Sequence, residues 1–422
     1  MRELESKYSR HLAVIGVQSG KYHAERVTSR IRDASLRLDA IHAVLNDRQF
    51  RTWRSYAVSA WPTLVAIDPS GYVVGAHAGE FAAEMLFPFI DGLIESARSR
   101  GVLNEESLHF EADKPTSEPG TLRYPGKVLV DGDRLIISDS GHHRILVAGL
   151  RAPSVARIEM TCGTGEPGFS NGAKGQLSFP QGTAVDGNTL YVADTGNHTI
   201  RSVSLSSGEL RTVAGTGAQM RTRGDRQQGA MSSPWDLALT GETLFVAMAG
   251  THQLWSVNLA TRTSRVHSGT GGEDIRDGEH RDALLAQPMG IVAVGNRVYF
   301  ADSESSAIRW ADTAENGAVG TVVGTGLFDF GDVDGTGDDV RLQHPQGVAI
   351  NPDGGLLVAD SYNDCIKAID PVTRSARVWV RGLSEPSGIS CSRTHAYVAD
   401  TNAHRIAVID LKTQEVSDLT LE

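Results

Sequence analysis

The chain has 422 residues, of which 45 are glycine and 6% are aromatic, and its formal net charge is −11. This length exceeds that of one ordinary compact domain, so we expect two units. No run approaches the about 18 consecutive apolar residues of a membrane helix, and Met1 begins a charged segment, not a secretory signal. We therefore expect a cytoplasmic protein without membrane contacts.

Charge is divided unevenly along the chain. Residues 1–104 contain 13 basic and 11 acidic residues, whereas the remainder contains 27 basic and 40 acidic residues. An acidic surface repels phosphate, so nucleic acid is disfavoured as a partner.

The first hundred residues alternate between strand and helix patterns, which predicts an α/β unit. The predicted strands are 12–17, 43–45, 63–67 and 72–77, and the predicted helices are 26–38, 48–56 and 81–100. Asp68-Pro69-Ser70-Gly71 should turn the last two strands into a hairpin.

Trp61-Pro62-Thr63 at the entrance to a strand, followed by this hairpin, resembles the distal half of a thioredoxin-like domain. The resemblance covers residues 1 to 103. It implies that Pro62 is cis and that positions 61–63 help to align a substrate beside redox cysteines.

Those cysteines are missing, because residues 1–104 contain none. In a full thioredoxin-like fold they would follow a central strand and precede the helix whose last turns match 2–8. We expect the edges of strands 12–17 and 63–67 to be unpaired. We hypothesise that the start codon is assigned too late or that the chain is incomplete, which the upstream DNA would test. No thiolate of this unit can act as the nucleophile of disulfide exchange.

Residues 104–120 are polar and rich in Glu, Pro and Ser, which predicts a linker. Beyond them, from 121 to 422, one phrase recurs six times. Each copy opens with a proline, at positions 125, 180, 234, 288, 345 and 386, so the spacings are 55, 54, 54, 57 and 41. A period of this size with several short strands per copy predicts a six-bladed β-propeller.

The second copy shows the pattern most clearly. Its strands are predicted at 181–186, 190–193, 199–205 and 210–214, with turns at Gly187 and Gly208. Pro180-Gln181-Gly182 and the run Asp194-Thr195-Gly196-Asn197-His198 resemble the NHL-repeat family of β-propellers. The third copy departs, because Trp235-Asp236 follows its proline and Met248-Ala249-Gly250 replaces Asp-Ser-Gly, which predicts an altered rim.

Two residue types recur at fixed positions in the copies. An aspartate closes the second strand of five copies, and a histidine follows four places later in four copies. These residues are Asp139, Asp194, Asp302, Asp360 and Asp400, and His143, His198, His252 and His404. Equivalent positions lie on a ring and do not converge, so we interpret them as structural: the aspartates accept backbone N–H bonds and the histidines pack and bond locally.

Other motifs have similarly plain interpretations. Gly-Thr-Gly at 163, 215, 269 and 324 is a linker turn and no phosphate loop, since no Lys-Ser/Thr helix follows. The acidic run 329–339 has the composition of a calcium loop but lacks its closing glutamate. Cys162 and Cys391 fall on strand positions, Cys365 should be more exposed, and no pair has metal or redox spacing. We expect no cofactor and no metal.

Three functions remain open. The first is a protein-binding scaffold, a propeller attached to a redox-inactive thioredoxin-like remnant. The second is a thiol–disulfide oxidoreductase whose cysteines lie upstream of Met1. The third is a propeller lyase or hydrolase that would use His142, His143 and the acidic linkers. We favour the scaffold because no catalytic residue is visible.

Overall fold

The computed structural model describes residues 1–79, 81–106, 120–221, 226 and 228–422. The chain divides into two compact units, Met1–Glu118 and Pro119–Glu422. Of the predicted linker, residues 107–119 lie outside the described residues. No helix among the described residues is long and apolar enough to cross a membrane.

The first unit contains four α-helices, one short 3-10 helix (Ala24–Arg26) and four strands among its described residues. In chain order the α-helices and strands are α1 (Arg2–Lys7), β1 (Ile15–Gln18), α2 (Thr28–Arg37), β2 (Ala43–Asn46), α3 (Arg51–Ser55), β3 (Thr63–Ile67), β4 (Val73–Ala78) and α4 (Ala83–Ser99). The strands form two separate pairs: β1 is parallel to β2, and β3 is antiparallel to β4. Among the described residues, β1 and β3 each pair on one edge only.

The second unit consists of six sheets, each built on antiparallel strands that follow one another in the chain, so the prediction of six blades is confirmed. Blade 1 contains β5 (Lys127–Asp131), β6 (Arg134–Asp139), β7 (Arg144–Ala152) and β8 (Val155–Cys162). Blade 2 contains β9 (Pro180–Asp186), β10 (Thr189–Asp194), β11 (Thr199–Ser204) and β12 (Leu210–Ala214). Blade 3 contains β13 (Pro234–Thr240), β14 (Thr243–Met248), β15 (Gln253–Asn258) and β16 (Thr263–Ser268).

Blades 4 and 5 have a fifth, outermost strand, which the linker before the blade supplies. Blade 4 contains β17 (Gly278–Glu279), β18 (Pro288–Val294), β19 (Arg297–Asp302), β20 (Ala307–Asp312) and β21 (Ala318–Val323). Blade 5 contains β22 (Gly335–Thr336), β23 (Gly347–Ile350), β24 (Leu356–Asp360), β25 (Cys365–Asp370) and β26 (Ser375–Arg381). Blade 6 contains β27 (Pro386–Cys391), β28 (His395–Asp400), β29 (Arg405–Asp410) and β30 (Val416–Asp418).

The apolar residues of the blades pack between neighbouring sheets. Each of the six core clusters combines side chains from two consecutive blades. The cluster between blades 6 and 1, for example, brings Tyr397 and Ile406 against Leu135 and Ile137. Short runs of Val, Ile and Leu are therefore buried on both faces, as strands stacked between two layers require.

The ring closes through the last residues of the chain. β30 completes blade 6, and the next strand, β31 (Thr420–Leu421), pairs in parallel with β8 on the outer edge of blade 1. Leu419 and Leu421 pack against the core between blades 6 and 1.

This closure generates a prediction for Leu421→Ala. The substitution removes apolar packing at the junction of blades 6 and 1, so we expect the free energy of unfolding to fall by about 1–3 kcal/mol in urea denaturation. Val372→Ala is the matched control, because Val372 is 88% exposed. Equal effects of the two substitutions would contradict a closing role for the final strand.

Candidate functional site

The five repeated aspartates organise the start of their own blade. One carboxylate oxygen of each accepts a backbone N–H bond from the residue two places before the blade's proline. These bonds, from Arg123, Ser178, Ala286, Gln343 and Ser384, measure 2.5–2.7 Å. The predicted backbone-bonding role of the aspartates is therefore observed in all five blades that have one.

The second carboxylate oxygen meets a cation in four of these blades. Arg201 and Arg309, seven residues after Asp194 and Asp302, each approach to 2.8 Å, and both arginine side chains are fully buried. Arg144 and Arg405 reach Asp139 and Asp400 from five residues away.

In blade 5 the second carboxylate oxygen of the repeated aspartate, Asp360, accepts a bond from an amide and not from an arginine. Lys367 stands seven residues after Asp360 but bonds Asp332 and Asp334 at 2.8 Å, while Asn363 donates to Asp360. Burial raises the pKa of Asp360 to about 7, against the lowering effect of its hydrogen bonds.

The repeated histidines join one blade to the next. Nδ1 of His143, His198, His252 and His404 accepts the backbone N–H of the residue before the next blade's proline, at 3.0–3.1 Å. The last of these bonds runs from blade 6 back to Tyr124 of blade 1. Our expectation that the histidines bond locally was therefore wrong. Each histidine accepts a hydrogen bond from the backbone of the next blade and not from its own.

The two copies without histidine keep this bond. In blade 4 the hydroxyl of Ser306 accepts the N–H of His344 at 3.2 Å, and in blade 5 the carboxylate of Asp364 accepts the N–H of Glu385 at 3.0 Å. The position therefore requires a hydrogen-bond acceptor in the left-handed backbone conformation, and three residue types supply it.

These contacts predict how His198 variants behave. Burial, and then the charge of Arg221, lower the pKa of His198, which favours the neutral ring that can accept a bond. We expect His198→Ala to lower the free energy of unfolding by about 1–3 kcal/mol, because the Ser233 N–H loses its partner. His198→Asn, which keeps an acceptor and tolerates this backbone, should lose less in the same urea titration. Equal losses would contradict the interblade role.

A lysine crosses the centre of the propeller. Lys127 of blade 1 reaches Asp236 of blade 3 at 3.1 Å, and its ammonium also donates to the carbonyl oxygens of Met289 in blade 4 and Gln346 in blade 5. The Lys127 and Asp236 side chains are 6% and 14% exposed. One side chain thus joins four of the six blades.

The surrounding positions leave room for this pair. Two places after the blade's proline, four blades have glycine: Gly182, Gly290, Gly347 and Gly388. A Cβ at Gly182 would overlap the Asp236 carboxylate, and one at Gly388 would overlap the Lys127 backbone. Only blades 1 and 3 carry a side chain here. The pair lies among the residues lining a central cavity of about 410 Å³, which all six inner strands surround.

The altered third copy therefore has a definite consequence. The sequence flagged Asp236 as a departure but did not connect it with Lys127, because the two residues are 109 positions apart in a ring whose geometry was unknown. The sequence feature that could have predicted the pair is that Lys127 and Asp236 stand at the repeat position where the other four blades have glycine.

This ion pair predicts a large penalty for removing one partner. Lys127→Met leaves the Asp236 carboxylate without its cation, so we expect the free energy of unfolding to fall by about 3–5 kcal/mol. Lys127→Met combined with Asp236→Asn should recover part of the loss, as a double-mutant cycle by urea denaturation would show. Lys412→Met on an exposed turn is the control. Strict additivity of the two substitutions would contradict a direct coupling.

Aspartates of the acidic run 329–339 form salt bridges with lysine and arginine side chains of blade 5. Asp332 contacts Lys367 and Arg381, and Asp334 contacts Lys367 and the backbone N–H of Val378. These bonds lower the pKa of Asp332 even though burial acts to raise it. Asp332, Asp360 and Cys365 lie close enough together to hold a metal ion, but the Lys367 ammonium bonds the Asp332 carboxylate, and Asn363 and the Gln343 N–H donate to that of Asp360.

The three cysteines are shielded from reaction. Cys365 is fully buried and contradicts the expectation of greater exposure, because its side chain packs beside Asp360 at the start of β25. Burial raises the pKa of Cys162 to about 11 and that of Cys391 to about 12, and it raises the pKa of Cys365 further. A thiol that stays protonated at neutral pH is a poor nucleophile.

The first unit places Trp61, Pro62 and Thr63 at the start of β3, and the Trp61–Pro62 bond is cis. The Trp61 indole donates to the Ser19 carbonyl at 2.7 Å, and the Ser19 hydroxyl donates to Asp47 at 2.9 Å. Burial acts to raise the pKa of Asp47, but the N–H groups that begin α3 lower it overall. The Trp61 ring lies 4.5 Å from that of Trp53 and is 48% exposed.

Each blade presents two kinds of connection at opposite ends of its strands. We call the side with the turns between the second and third strands and with the interblade linkers the linker face. The opposite side, with the turns inside the two hairpins of each blade, is the hairpin face. Asn197 and Asn363 on second-to-third turns donate to Gly168 and Gly331 of linkers, which fixes both on one side.

The linker face carries exposed aromatic rings and a polar cluster. Phe169 is 45% exposed and Phe328 is 69% exposed, both on linkers. Nε2 of His344 lies 3.4 Å from Glu304, and its ring stacks on Tyr362 at 4.6 Å. Neither the phenylalanines nor this cluster had been singled out from the sequence, because they are not repeated in other copies.

The family profile of the NHL repeat matches residues 177–201 and 342–369, within blades 2 and 5. The second unit is an NHL-repeat β-propeller. The chain is 36% identical to human NHL repeat-containing protein 2 over 480 residues, covering 100% of the chain and 65% of that relative. It is also 36% identical to the Arabidopsis thaliana protein SUPPRESSOR OF QUENCHING 1, chloroplastic, over 99% of the chain and 43% of that relative. The chain thus spans less than two thirds of the length of these relatives.

Solved structures show weaker similarity. The chain resembles one in the nidogen/laminin complex, with 14% identity, a TM-score of 0.45 and coverage of 70% of this chain and 92% of that one. A streptogramin B lyase structure has 12% identity and a TM-score of 0.46, with coverage of 72% and 85%.

Proposed function

We propose that this protein is a protein-binding scaffold. In this proposal the NHL-repeat propeller supplies the binding surface, and the first unit is a thioredoxin-like remnant without thiol chemistry of its own. The observation that carries the proposal is the use of the repeated Asp and His residues. In every blade that has them, they bond the backbone of the blade or of its neighbour.

The same contacts argue against a catalytic role for the repeat. A general base or metal ligand must direct its lone pairs at a substrate or ion. Nδ1 of each ring histidine instead accepts a backbone N–H, and the aspartates accept a backbone N–H and, in four blades, face an arginine. Changing either residue would therefore act first on stability.

The thioredoxin-like assignment rests on the sequence resemblance, the order of strands and helices, and the position of Trp61-Pro62 beside a strand edge. Residues 1–104 contain no cysteine. The three thiols of the propeller have raised pKa values. Oxidoreductase activity is the alternative, and a cytoplasmic location remains a prediction of the sequence.

We place the binding surface on the linker face. Its two exposed phenylalanines lie on different linkers, and exposed aromatic rings are enriched where proteins bind one another. The linkers themselves are anchored by backbone bonds, such as Gly331 N–H to the Leu342 carbonyl, so the surface is held in place before binding. Preorganisation of this kind reduces the entropy cost of association.

Site-specific photocrosslinking tests this proposal. A benzoylphenylalanine at position 169 or 328 should give discrete adducts with a partner in cells that produce the protein, whereas one at Asp353 on the hairpin face should not. The purified chain should show no insulin-disulfide reduction above the uncatalysed rate. Absence of adducts at both linker-face positions would overturn the scaffold assignment, and turnover similar to that of a thioredoxin would replace it with the oxidoreductase.

A further inference from the structure

A cleft opens between blades 2 and 3 on the hairpin face. Strands β10, β11 and β12 of blade 2 form one wall of the cleft, and the turn between β15 and β16 of blade 3 forms the other. Its volume is about 320 Å³. Pockets for small molecules typically measure about 300–1,000 Å³, so the cleft is large enough for a small ligand.

The wall from blade 2 combines polar and apolar side chains. Tyr191 of β10 lies opposite Ser202 of β11, and Ser202 lies opposite Arg211 of β12, so the three side chains form a row across one face of the sheet. Val213, two places after Arg211 on the same face, and Leu259 of blade 3 add apolar surface. A few polar groups beside apolar surface are typical of a site that orients a small molecule.

Arg262 is the cation of this cleft that has no carboxylate partner among the described residues. The other cation, Arg211, is bonded to Glu209 at 2.9 and 3.1 Å. In the part of the chain that the structure describes, the Arg262 guanidinium forms no hydrogen bond or salt bridge, and the Tyr191 hydroxyl forms no hydrogen bond. Burial, and then the charge of Asp186, raise the pKa of Tyr191, although Arg262 acts to lower it. The hydroxyl is therefore a neutral hydrogen-bond donor.

The repeat shows what an arginine at this position binds. Arg374 directly precedes β26 as Arg262 directly precedes β16, and both have a left-handed backbone, with φ of 59° and 58°. The Arg374 guanidinium bonds the Asp338 carboxylate at 2.7 Å and donates to the Val322 carbonyl at 2.7 Å. In blade 5 the chain itself thus supplies a carboxylate to the equivalent arginine.

Two further clefts of the ring are also completed by the chain. Between blades 3 and 4, Arg265 pairs with Glu315 from a turn of blade 4. Between blades 6 and 1, Tyr397, which stands at the position of Tyr191, donates its hydroxyl hydrogen to the Pro153 carbonyl at 2.9 Å. Among the described residues, no carboxylate or carbonyl fills these roles between blades 2 and 3, so the cleft has the donors of its neighbours without their acceptors.

We propose that the cleft between blades 2 and 3 binds a small organic acid, whose carboxylate accepts hydrogen bonds from the Arg262 guanidinium and the Tyr191 hydroxyl. The planar guanidinium of arginine matches a carboxylate through parallel N–H donors. The carbon chain of the acid packs against Leu259 and Val213, and the Ser202 hydroxyl bonds a polar substituent. This site is separate from the linker face and does not depend on the scaffold function.

Titration calorimetry with a series of free acids, from acetate to citrate, tests the proposal. The comparison compounds are the neutral amides of the same acids and inorganic phosphate. Arg262→Gln removes the cation from the cleft, and Tyr191→Phe removes only the hydroxyl. The matched control is Arg377→Gln, because Arg377 is an exposed arginine of blade 5 that does not line the cleft. Urea denaturation of each variant verifies that the fold is retained.

We expect at least one acid to bind the unaltered chain more tightly than its amide and than phosphate. Its affinity should fall by about tenfold in Arg262→Gln and by about threefold in Tyr191→Phe, since a cation bonds a carboxylate more strongly than a neutral hydroxyl does. Arg377→Gln should bind the acid as the unaltered chain does.

Four results would overturn the inference. One is that no acid of the series binds at about 10 mM. A second is an equal loss of affinity in Arg262→Gln and Arg377→Gln, which would show unspecific attraction of anions. A third is that phosphate binds as tightly as the acids. The fourth is that an Asp-containing peptide binds where the free acids do not, because the occupant is then a protein. None of these results changes the photocrosslinking at positions 169 and 328, so the scaffold function is judged separately.

Discussion

The constraint on which the structure depends is that no blade can bury its own faces. A four-stranded sheet with Val, Ile and Leu on both sides needs a neighbour on each side, so the six sheets are stable only as a closed ring. Each of the six cores is shared by two blades, and the junction of blades 6 and 1 is no exception. The bond from His404 to Tyr124 and the strand at Thr420–Leu421 exist at that junction because the ring must end where it began.

This constraint explains why the repeat conserves contacts more strictly than residues. The interblade acceptor is His in four blades, Ser306 in one and Asp364 in another, yet the bond to the next blade is present in all six. The aspartate position tolerates an Arg five or seven residues later, or a Lys that turns to a linker. Each blade must retain an acceptor for the backbone N–H of the next blade, and several types of side chain can provide one. Polar residues that recur in every blade of a propeller thus indicate hydrogen bonds that hold the blades together before they indicate a catalytic role.

The repeat made the propeller predictable from sequence. Period, turn glycines and apolar runs gave the number of blades and the strands of blade 2 to within a residue or two, because local pattern and fold agree there. Contacts that depend on the closed ring were not predictable. Lys127 and Asp236 are distant in sequence and meet only across the centre, and the His bonds cross to a neighbouring blade. The expected exposure of Cys365 was wrong because Arg144 and Arg405, which stand at the equivalent positions of blades 1 and 6, are longer and do not show how a shorter side chain packs.

Function is to be sought where the repetition fails. A residue that recurs in every blade serves the ring and cannot distinguish one sector from another, whereas a binding partner requires a sector that differs. Two departures from the repeat have different consequences here. Lys127 and Asp236 replace glycine and satisfy each other inside the channel, so they contribute to cohesion. Glu304 and Tyr362 replace glycine in the turns between the second and third strands of blades 4 and 5, where both contact His344. The second departure gives one sector of the ring contacts that the other blades lack, which is the asymmetry that selective binding needs.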